Sequence, residues 1–179
     1  MKYLIASDIH GSLFYAKKLK TQIEREKPNK IVLLGDLYYH GPRNPLTKEY
    51  SPKEVANLFN SMHKKIICTR GNCDAEVDQM ISKFKISSHK KIKFANKTIM
   101  FTHGHKFNID NPPQGIDILF YGHFHTGFIK ENNGQIYVNV GSIALPKNET
   151  NHSYAILDNS GIYLKTIDGE IITFYEFKQ

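Results

Sequence analysis

The chain has 179 residues, of which 40% are hydrophobic and 23% charged, and its formal net charge is +7. This length and apolar content predict one domain over residues 1–179 and exclude a disordered chain. No apolar run approaches the roughly 20 residues that a membrane-spanning helix needs. The opening residues lack a signal-peptide cleavage pattern, so we expect a cytoplasmic protein.

The charge and cysteine patterns narrow the classes of partner. Lysine is scattered, and arginine, which reads nucleic-acid bases most directly, occurs only at Arg25, Arg43 and Arg70. A nucleic-acid partner is therefore not expected. The two cysteines, Cys68 and Cys73, are too few for a disulfide framework or a zinc knuckle.

The first two thirds of the chain alternate short apolar runs with helical spacing, which predicts a mostly parallel sheet covered by helices. The expected strands are 2–7, 30–34, 65–69, 98–102 and 117–121. Helices are expected at 12–26, from Ser51 and from about Asp74.

Two details of these helices are expected from local patterns. Ser51 and Glu54 have the spacing of a capping box. In the third helix the apolar side chains are expected to face inward, namely Val77, Met80, Ile81 and Phe84.

After about residue 126 the pattern changes to short strands joined by tight turns at 132–134, 159–161 and 168–169. Such turns are typical of antiparallel hairpins. We expect this part to form a second sheet that packs face to face with the first, and an irregular loop at 106–115.

Polar, glycine-flanked segments follow all five early strands: Asp8-Ile9-His10-Gly11, Gly35-Asp36, Gly71-Asn72-Cys73-Asp74, His103-Gly104-His105 and Gly122-His123-Phe124-His125. The carboxyl ends of parallel strands open on one crevice, so these segments should meet. Each segment alone is weak support for a site, since Asp often caps helices and His often lies in turns. Their joint occurrence predicts a metal site.

The chemistry of these side chains favours two ions. Carboxylate, imidazole and amide donors without thiolate suit Mn, Fe, Zn or Co. The economical assignment shares one carboxylate between two ions: Asp8, His10 and His125 on one, Asn72, His103 and His123 on the other, with Asp36 as the bridge. Two such ions activate a shared water and stabilise a phosphoryl group during in-line displacement.

The ordered blocks from Asp8 to His125 resemble the calcineurin-like metallophosphoesterase superfamily. Three segments look most like its small bacterial YfcE-type phosphodiesterases: Gly41-Pro42-Arg43-Asn44, Gly71-Asn72-Cys73-Asp74 and Asn139-Val140-Gly141-Ser142. The resemblance implies an α/β fold, a four-layer αββα sandwich of two mixed sheets flanked by helices. It also implies a homodimer or larger assembly.

The resemblance further implies hydrolysis of a small phosphodiester by a hydroxide that bridges two divalent ions. Mn²⁺ is the expected metal, with Zn²⁺, Fe²⁺, Ni²⁺, Co²⁺ or Mg²⁺ as alternatives. The residues expected to act in catalysis are Asp36, Asn72 and His103, and those expected to contact substrate are Cys73, His105, Arg43 and His40. Arg43 could instead hold its own loop or a subunit contact, and Asp74 is expected to cap its helix or to orient a ligand.

Cys73 stands where many members of this superfamily have a histidine. A thiol with a pKa near ~8.5 is not a cation at neutral pH, so we expect aryl or activated diesters to be the best substrates. Two other functions remain open: a phosphomonoesterase or nucleotide phosphatase that uses the same centre, and a protein-interaction scaffold with this fold.

Overall fold

The computed structural model describes residues 1–177. In chain order its elements are β1 (Tyr3–Ala6), α1 (Leu13–Glu26), β2 (Lys30–Leu33), α2 (Pro52–Asn60), a 3₁₀ turn (His63–Lys65), β3 (Ile66–Thr69), α3 (Glu76–Ile81), β4 (Ile86–Ser87), β5 (Lys90–Phe94), β6 (Lys97–Phe101), β7 (Ile118–Tyr121), β8 (Phe128–Asn132), β9 (Gln135–Asn139), β10 (Ser153–Asp158), β11 (Gly161–Thr166) and β12 (Ile171–Glu176).

The strands form two mixed sheets, which confirms the expected fold class. The first has the order β12-β11-β10-β1-β2-β3-β4 and the second the order β5-β6-β7-β9-β8. In the first sheet β1 to β4 run parallel, and in the second β6, β7 and β9 run parallel. The carboxyl ends of β1, β2 and β3 therefore lie together, as do those of β6 and β7.

Three apolar layers hold the sheets in place. Between the sheets, fully buried side chains of both pack together, among them Ile5, Val32, Phe101 and Phe120. Helices α1 and α2 cover the outer face of the first sheet. The outer face of the second sheet packs against the 106–115 segment, which contains no helix or strand and confirms the expected loop.

The division of strands between the sheets differs from expectation. The second sheet begins at β5 rather than after residue 126, and β10, β11 and β12 return to the first sheet. The reason is that β10 pairs antiparallel with β1 and so extends the first sheet beyond its first strand. The expected hairpin turns are confirmed at β8–β9, β10–β11 and β11–β12.

Two details of the helices correct the sequence interpretation. Ser51 makes no side-chain capping bond at α2, so the expected capping box is wrong. Helix α3 is only six residues long, and its side chains Val77, Met80 and Ile81 are exposed rather than buried, although Phe84 is buried. Within residues 1–177, no helix is both long and apolar enough to cross a membrane.

Candidate metal centre

The five polar segments meet at the carboxyl ends of parallel strands from both sheets. The seven side chains expected to bind metal follow β1, β2, β3, β6 and β7, in the order Asp8, His10, Asp36, Asn72, His103, His123 and His125. The backbone connects these segments directly, since Asp8 N donates to Gly35 O at 3.2 Å and Gly122 N donates to His103 O at 2.8 Å. Side chains distant in the sequence thus share one crevice.

The first group of donors surrounds Asp8. Its Oδ1 lies 3.2 Å from His125 Nε2 and 3.6 Å from His10 Nε2. The two imidazole nitrogens are 3.3 Å apart. Asp8 Oδ1 is buried, and no donor among the described residues satisfies it with hydrogen-bond geometry. A buried carboxylate oxygen that faces two ring nitrogens fits a cation.

The second group surrounds His103. Its Nε2 lies 3.0 Å from Asn72 Oδ1 and 3.3 Å from His123 Nδ1. The same nitrogen is 3.4 Å from Asp36 Oδ2, which is also 3.7 Å from His10 Nε2 of the first group. The carboxylate of Asp36 therefore lies between the two groups.

Backbone carbonyls fix the tautomers of three histidines. Each donates its Nδ1–H to one carbonyl oxygen: His10 to Tyr39 at 2.9 Å, His103 to Leu34 at 2.8 Å and His125 to Leu145 at 2.6 Å. Because a carbonyl oxygen can only accept a hydrogen bond, Nδ1 of each ring carries the proton. The Nε2 atom therefore faces the centre, as it does in metal-ligating histidines. His123 instead directs its Nδ1 to the centre.

Five of these seven residues have a left-handed backbone: φ is 57° at Asp8, 47° at His10, 53° at Asp36, 66° at His123 and 60° at His125. Such conformations are uncommon for residues other than glycine and are found preferentially at functional sites. They turn the chain sharply after each strand, so that side chains two residues apart can reach the same centre.

Two glycines allow the segments to approach one another. A Cβ on Gly71 would lie 2.0 Å from Asp36 Oδ1, and one on Gly122 would lie 2.4 Å from Asp8 Oδ2. Any larger residue would displace the carboxylates. Asp8 Oδ2 accepts a hydrogen bond from His123 N at 2.9 Å, which leaves Oδ1 for the centre.

Asp74 holds the second and third segments together. Its carboxylate accepts hydrogen bonds from three backbone N–H groups, those of Asp36 at 2.9 Å, Leu37 at 2.8 Å and Gly71 at 2.7 Å. It does not cap α3, where Asp78 bonds to Ala75 N instead. Of the two roles expected for Asp74, the structure therefore shows the orienting contact.

Ser142 connects the first and last segments. Its hydroxyl donates to Asp8 O at 2.7 Å and accepts from Leu145 N at 2.9 Å, while Leu145 O holds His125 Nδ1. This buried serine thereby orients two residues of the first donor group.

Ser142→Ala is expected to weaken Mn²⁺ binding by about tenfold, since residues that orient ligands typically contribute this much. The hydroxyl that holds the Asp8 and Leu145 backbones would be lost. Calorimetric titration of chelated protein with Mn²⁺ measures the effect. Ser82→Ala is the matched control, because its buried hydroxyl bonds only to the Tyr38 hydroxyl; equal losses in both variants would contradict the prediction.

The charges of the centre fit divalent cations. Burial alone would raise the pKa of Asp8 and of Asp36, but His103 together with the other hydrogen-bonding neighbours of each carboxylate holds both pKa values below their usual range. Burial and the neighbouring His103 lower the pKa of His123 to about 4, so this ring is neutral. Burial opposes protonation of His103, yet the two carboxylates raise its pKa to about 9. A cation bound there would take the place of that proton.

The donors open into a cavity of about 540 Å³. Of the residues expected to contact substrate, Arg43 and Cys73 line this cavity. Burial, and to a lesser extent the charge of Asp36, raises the pKa of the Cys73 thiol to about 12. His40 does not line it, because its ring packs edge-on against Tyr50. His105 lines a separate, smaller groove, although its ring centroid is 5.5 Å from that of His103.

Three lining residues were not found by sequence reasoning: Tyr39, Asn44 and Lys147. Asn44 ends the Gly41-Pro42-Arg43-Asn44 segment, in which only Arg43 was given a role, whereas Tyr39 and Lys147 lie in irregular loops and belong to no motif, so the sequence carries no signal for these two. The loop that contains Lys147 follows β9 and is held at the site by a hydrogen bond from Lys147 N to His125 O at 3.0 Å.

Comparisons with known proteins agree with this geometry. The calcineurin-like phosphoesterase superfamily domain matches residues 1–161. Phosphodiesterase YfcE of Escherichia coli (strain K12) is 38% identical over 176 residues, which cover 96% of this chain and 95% of that protein.

Solved structures give the same result. The structure of YfcE, a phosphoesterase from E. coli, superimposes with a TM-score of 0.96 at 35% identity and covers 99% of this chain and 100% of the other. Vps29 from Cryptosporidium parvum has a TM-score of 0.70 at 17% identity, covers 99% of this chain and 98% of its own, and shares the fold alone. The family match and the identity with YfcE show that the chain belongs to the calcineurin-like phosphoesterase superfamily, a family of divalent-metal enzymes.

Proposed function

We propose that this protein is a metal-dependent phosphodiesterase acting on a small phosphodiester. The observation that carries the proposal is the pair of donor groups that share the Asp36 carboxylate at the base of an open cavity. Its similarity to phosphodiesterase YfcE supports the same activity. The two sheets share one apolar core, which supports the proposal that residues 1–179 act as a single domain.

Two divalent ions, which we propose to be Mn²⁺, would be held by the two groups: Asp8, His10 and His125 in one, Asn72, His103 and His123 in the other, with Asp36 in both. When bound, such ions polarise the phosphoryl oxygens and lower the pKa of water. Oxygen and imidazole donors without a thiolate are compatible with Mn²⁺ and its neighbours.

The chain's own residues would position the substrate. Arg43 and Lys147 both reach the cavity and attract the anionic phosphodiester, and the Asn72 amide lies at its wall. The histidines that line the cavity, His10, His123 and His125, all belong to the donor groups. Within residues 1–177, no further imidazole lines the cavity, and the Cys73 thiol, whose pKa is raised by burial, is a poor acid.

We also propose a homodimer or larger assembly and a cytoplasmic location. Cys68 and Cys73 are both free thiols, which is the form of cysteine expected in a reducing compartment such as the cytoplasm. Light scattering coupled to size-exclusion chromatography measures the assembly.

The function is tested with chelated protein reconstituted with single divalent ions. We expect bis(p-nitrophenyl) phosphate to be hydrolysed only after reconstitution, and most rapidly with Mn²⁺. Preferential turnover of nucleoside monophosphates would instead favour the phosphomonoesterase. A protein that binds no metal and is not stimulated by Mn²⁺ would support the scaffold, a function that the intact donor set does not favour.

The leaving group is expected to decide the rate. Because no imidazole beyond the donor groups lines the cavity, aryl diesters should be hydrolysed at least about 100-fold faster than alkyl phosphomonoesters such as phosphoserine, the lower end of what a general acid contributes. Steady-state kcat/KM on p-nitrophenyl diesters and on phosphoserine measures this ratio. Equal turnover of both would contradict the prediction.

Cys73→His is expected to narrow that ratio by increasing the rate on monoesters. An imidazole at this position could carry a proton at neutral pH, which the thiol cannot. Cys73→Ser is the matched control, since it keeps the size but supplies no cation. The same ratio in both variants would show that Cys73 only fills space.

A further inference from the structure

The cavity of about 540 Å³ is larger than one phosphodiester group requires, and its remaining wall is positively charged. Arg43 and Lys147 contribute two cations beyond the metal-donor groups, while Asp36, itself a donor, is the one acidic residue among those that line it. The wall therefore offers two fixed positive charges to whatever occupies the space beside the scissile group.

These two cations belong to different loops that border the cavity. The Arg43 loop packs beside Cys73, since a Cβ on Gly41 would lie 3.2 Å from Cys73 Sγ. Lys147 lies beside the other donor group, where its backbone N–H donates to His125 O. A phosphate bound by both side chains would lie between these two loops, beside the scissile group rather than in its place.

Neither cation is used within the protein. Among residues 1–177, neither Arg43 nor Lys147 forms an ion pair with a carboxylate, and both side chains are exposed to the cavity. By contrast, Lys2 and Lys165 are both paired with Glu26. The charges at the cavity are thus available for a ligand.

We propose that the substrate is a phosphodiester that carries a second phosphate on one of its esterified arms, and that Arg43 and Lys147 select it by binding this second phosphate. This deepens the proposed function and rests on it. A phosphodiester carries one negative charge, whereas a phosphomonoester group carries nearly two near neutral pH. The two unpaired cations therefore match the second phosphate better than the diester alone, and arginine binds phosphate in a bidentate manner.

The test uses two substrates that differ only in that group: the p-nitrophenyl ester of thymidine 5′-phosphate, with and without a 3′-phosphate. In both, water adds to the same phosphorus, the bond from phosphorus to the aryl oxygen breaks and p-nitrophenol leaves. With Mn²⁺-loaded protein at low ionic strength we expect kcat/KM to be about tenfold higher with the 3′-phosphate, as two exposed ion pairs would give. Added salt should reduce this ratio.

The ratio of kcat/KM with and without the 3′-phosphate should fall toward one in the double variant Arg43→Gln/Lys147→Gln. In the single variant Lys147→Gln it should take an intermediate value. Lys91→Gln is the matched control, since it removes the same charge from an exposed position on β5 and should leave the ratio unchanged. A ratio of one in the unmodified protein, or a ratio that persists in the double variant, would overturn the proposal.

An equilibrium measurement separates this proposal from the proposed function. Calorimetry on the same Mn²⁺-loaded proteins compares the Kd of thymidine 3′,5′-bisphosphate with that of thymidine 5′-phosphate. We expect tighter binding of the bisphosphate by about tenfold, lost in the double variant. If no diester is hydrolysed with any metal, the phosphodiesterase function fails, and the Kd ratio still decides whether Arg43 and Lys147 bind a second phosphate.

Discussion

Asp36→Asn is expected to lower kcat on bis(p-nitrophenyl) phosphate by at least about 10³-fold. Residues that only orient ligands typically contribute 10–100-fold, and Asp36 faces both donor groups, so its loss should exceed that range. The substitution keeps the shape of the side chain and the hydrogen bond from Cys73 N to Oδ1. A lower kcat in this variant would therefore result from the loss of the negative charge between the two donor groups.

The stability of this variant should separate a metal role from a structural one. Without metal, burial would raise the pKa of Asp36, but the contacts with His103 and the Cys73 N–H hold it below its usual range, so the charged carboxylate stabilises the chelated protein and the neutral amide should lower its Tm. The rise in Tm on adding Mn²⁺ should shrink, because binding to the native state is what stabilises it.

Asp168→Asn is the matched control, since this carboxylate is exposed and, within the described part of the chain, forms an ion pair only with Lys18. It should keep both turnover and the Mn²⁺-induced rise in Tm. An Asp36→Asn protein with near-normal kcat would contradict the assignment of Asp36 as the shared ligand.

Asp74→Ala is expected to lower the free energy of unfolding by about 3 kcal/mol, because each buried N–H left without an acceptor costs about 1–3 kcal/mol and three would lose theirs. The backbones of Asp36, Leu37 and Gly71 would no longer be held together. Turnover of bis(p-nitrophenyl) phosphate should fall about 10–100-fold, the usual effect of removing a group that orients metal ligands. Urea unfolding and kcat at saturating Mn²⁺ measure the two effects.

Asp78→Ala offers a control from the same segment. Among residues 1–177, the Asp78 carboxylate accepts a hydrogen bond from one N–H group, that of Ala75 at the start of α3, and forms none with the donor segments. The Asp78→Ala substitution should lower the free energy of unfolding by about 1 kcal/mol, as the loss of a helix cap does, and should leave kcat nearly unchanged. If the two variants lost turnover equally, Asp74 would have no specific role in orienting Asp36.

Local patterns identified most strands and helices but not the sheet to which each strand belongs. Apolar alternation and Asn-Gly turns are local features, whereas the pairing of β10 with β1 joins residues such as Leu4 and Ile156. Nothing in either segment indicates that partner. The same limit explains α3, where apolar spacing at Val77 and Met80 predicted a buried face that the short helix does not have.

The sequence predicted the residues of the candidate site more completely than it predicted the arrangement of the strands. Glycines beside Asp36 and His123 mark the sharp turns after their strands, and parallel strands of one sheet share an end, so convergence within each sheet followed from strand order. The packing of the two sheets, which brings both sets of residues to one centre, did not follow from it. The cavity wall could not be predicted in this way. Lys147 and Tyr39 reach it from irregular loops, whose conformation depends on contacts distant in the sequence.

The two sheets contribute to the centre together. Asp8 and Asp36 come from the first sheet, and His103, His123 and His125 come from the second. Each donor group takes residues from both sheets, so an ion held by either group would cross-link two layers that otherwise adhere through apolar side chains. We therefore expect chelation to accelerate amide hydrogen exchange along β6 and β7 themselves as well as in the loops. The ions that catalysis needs would then also stabilise the packing of the two sheets.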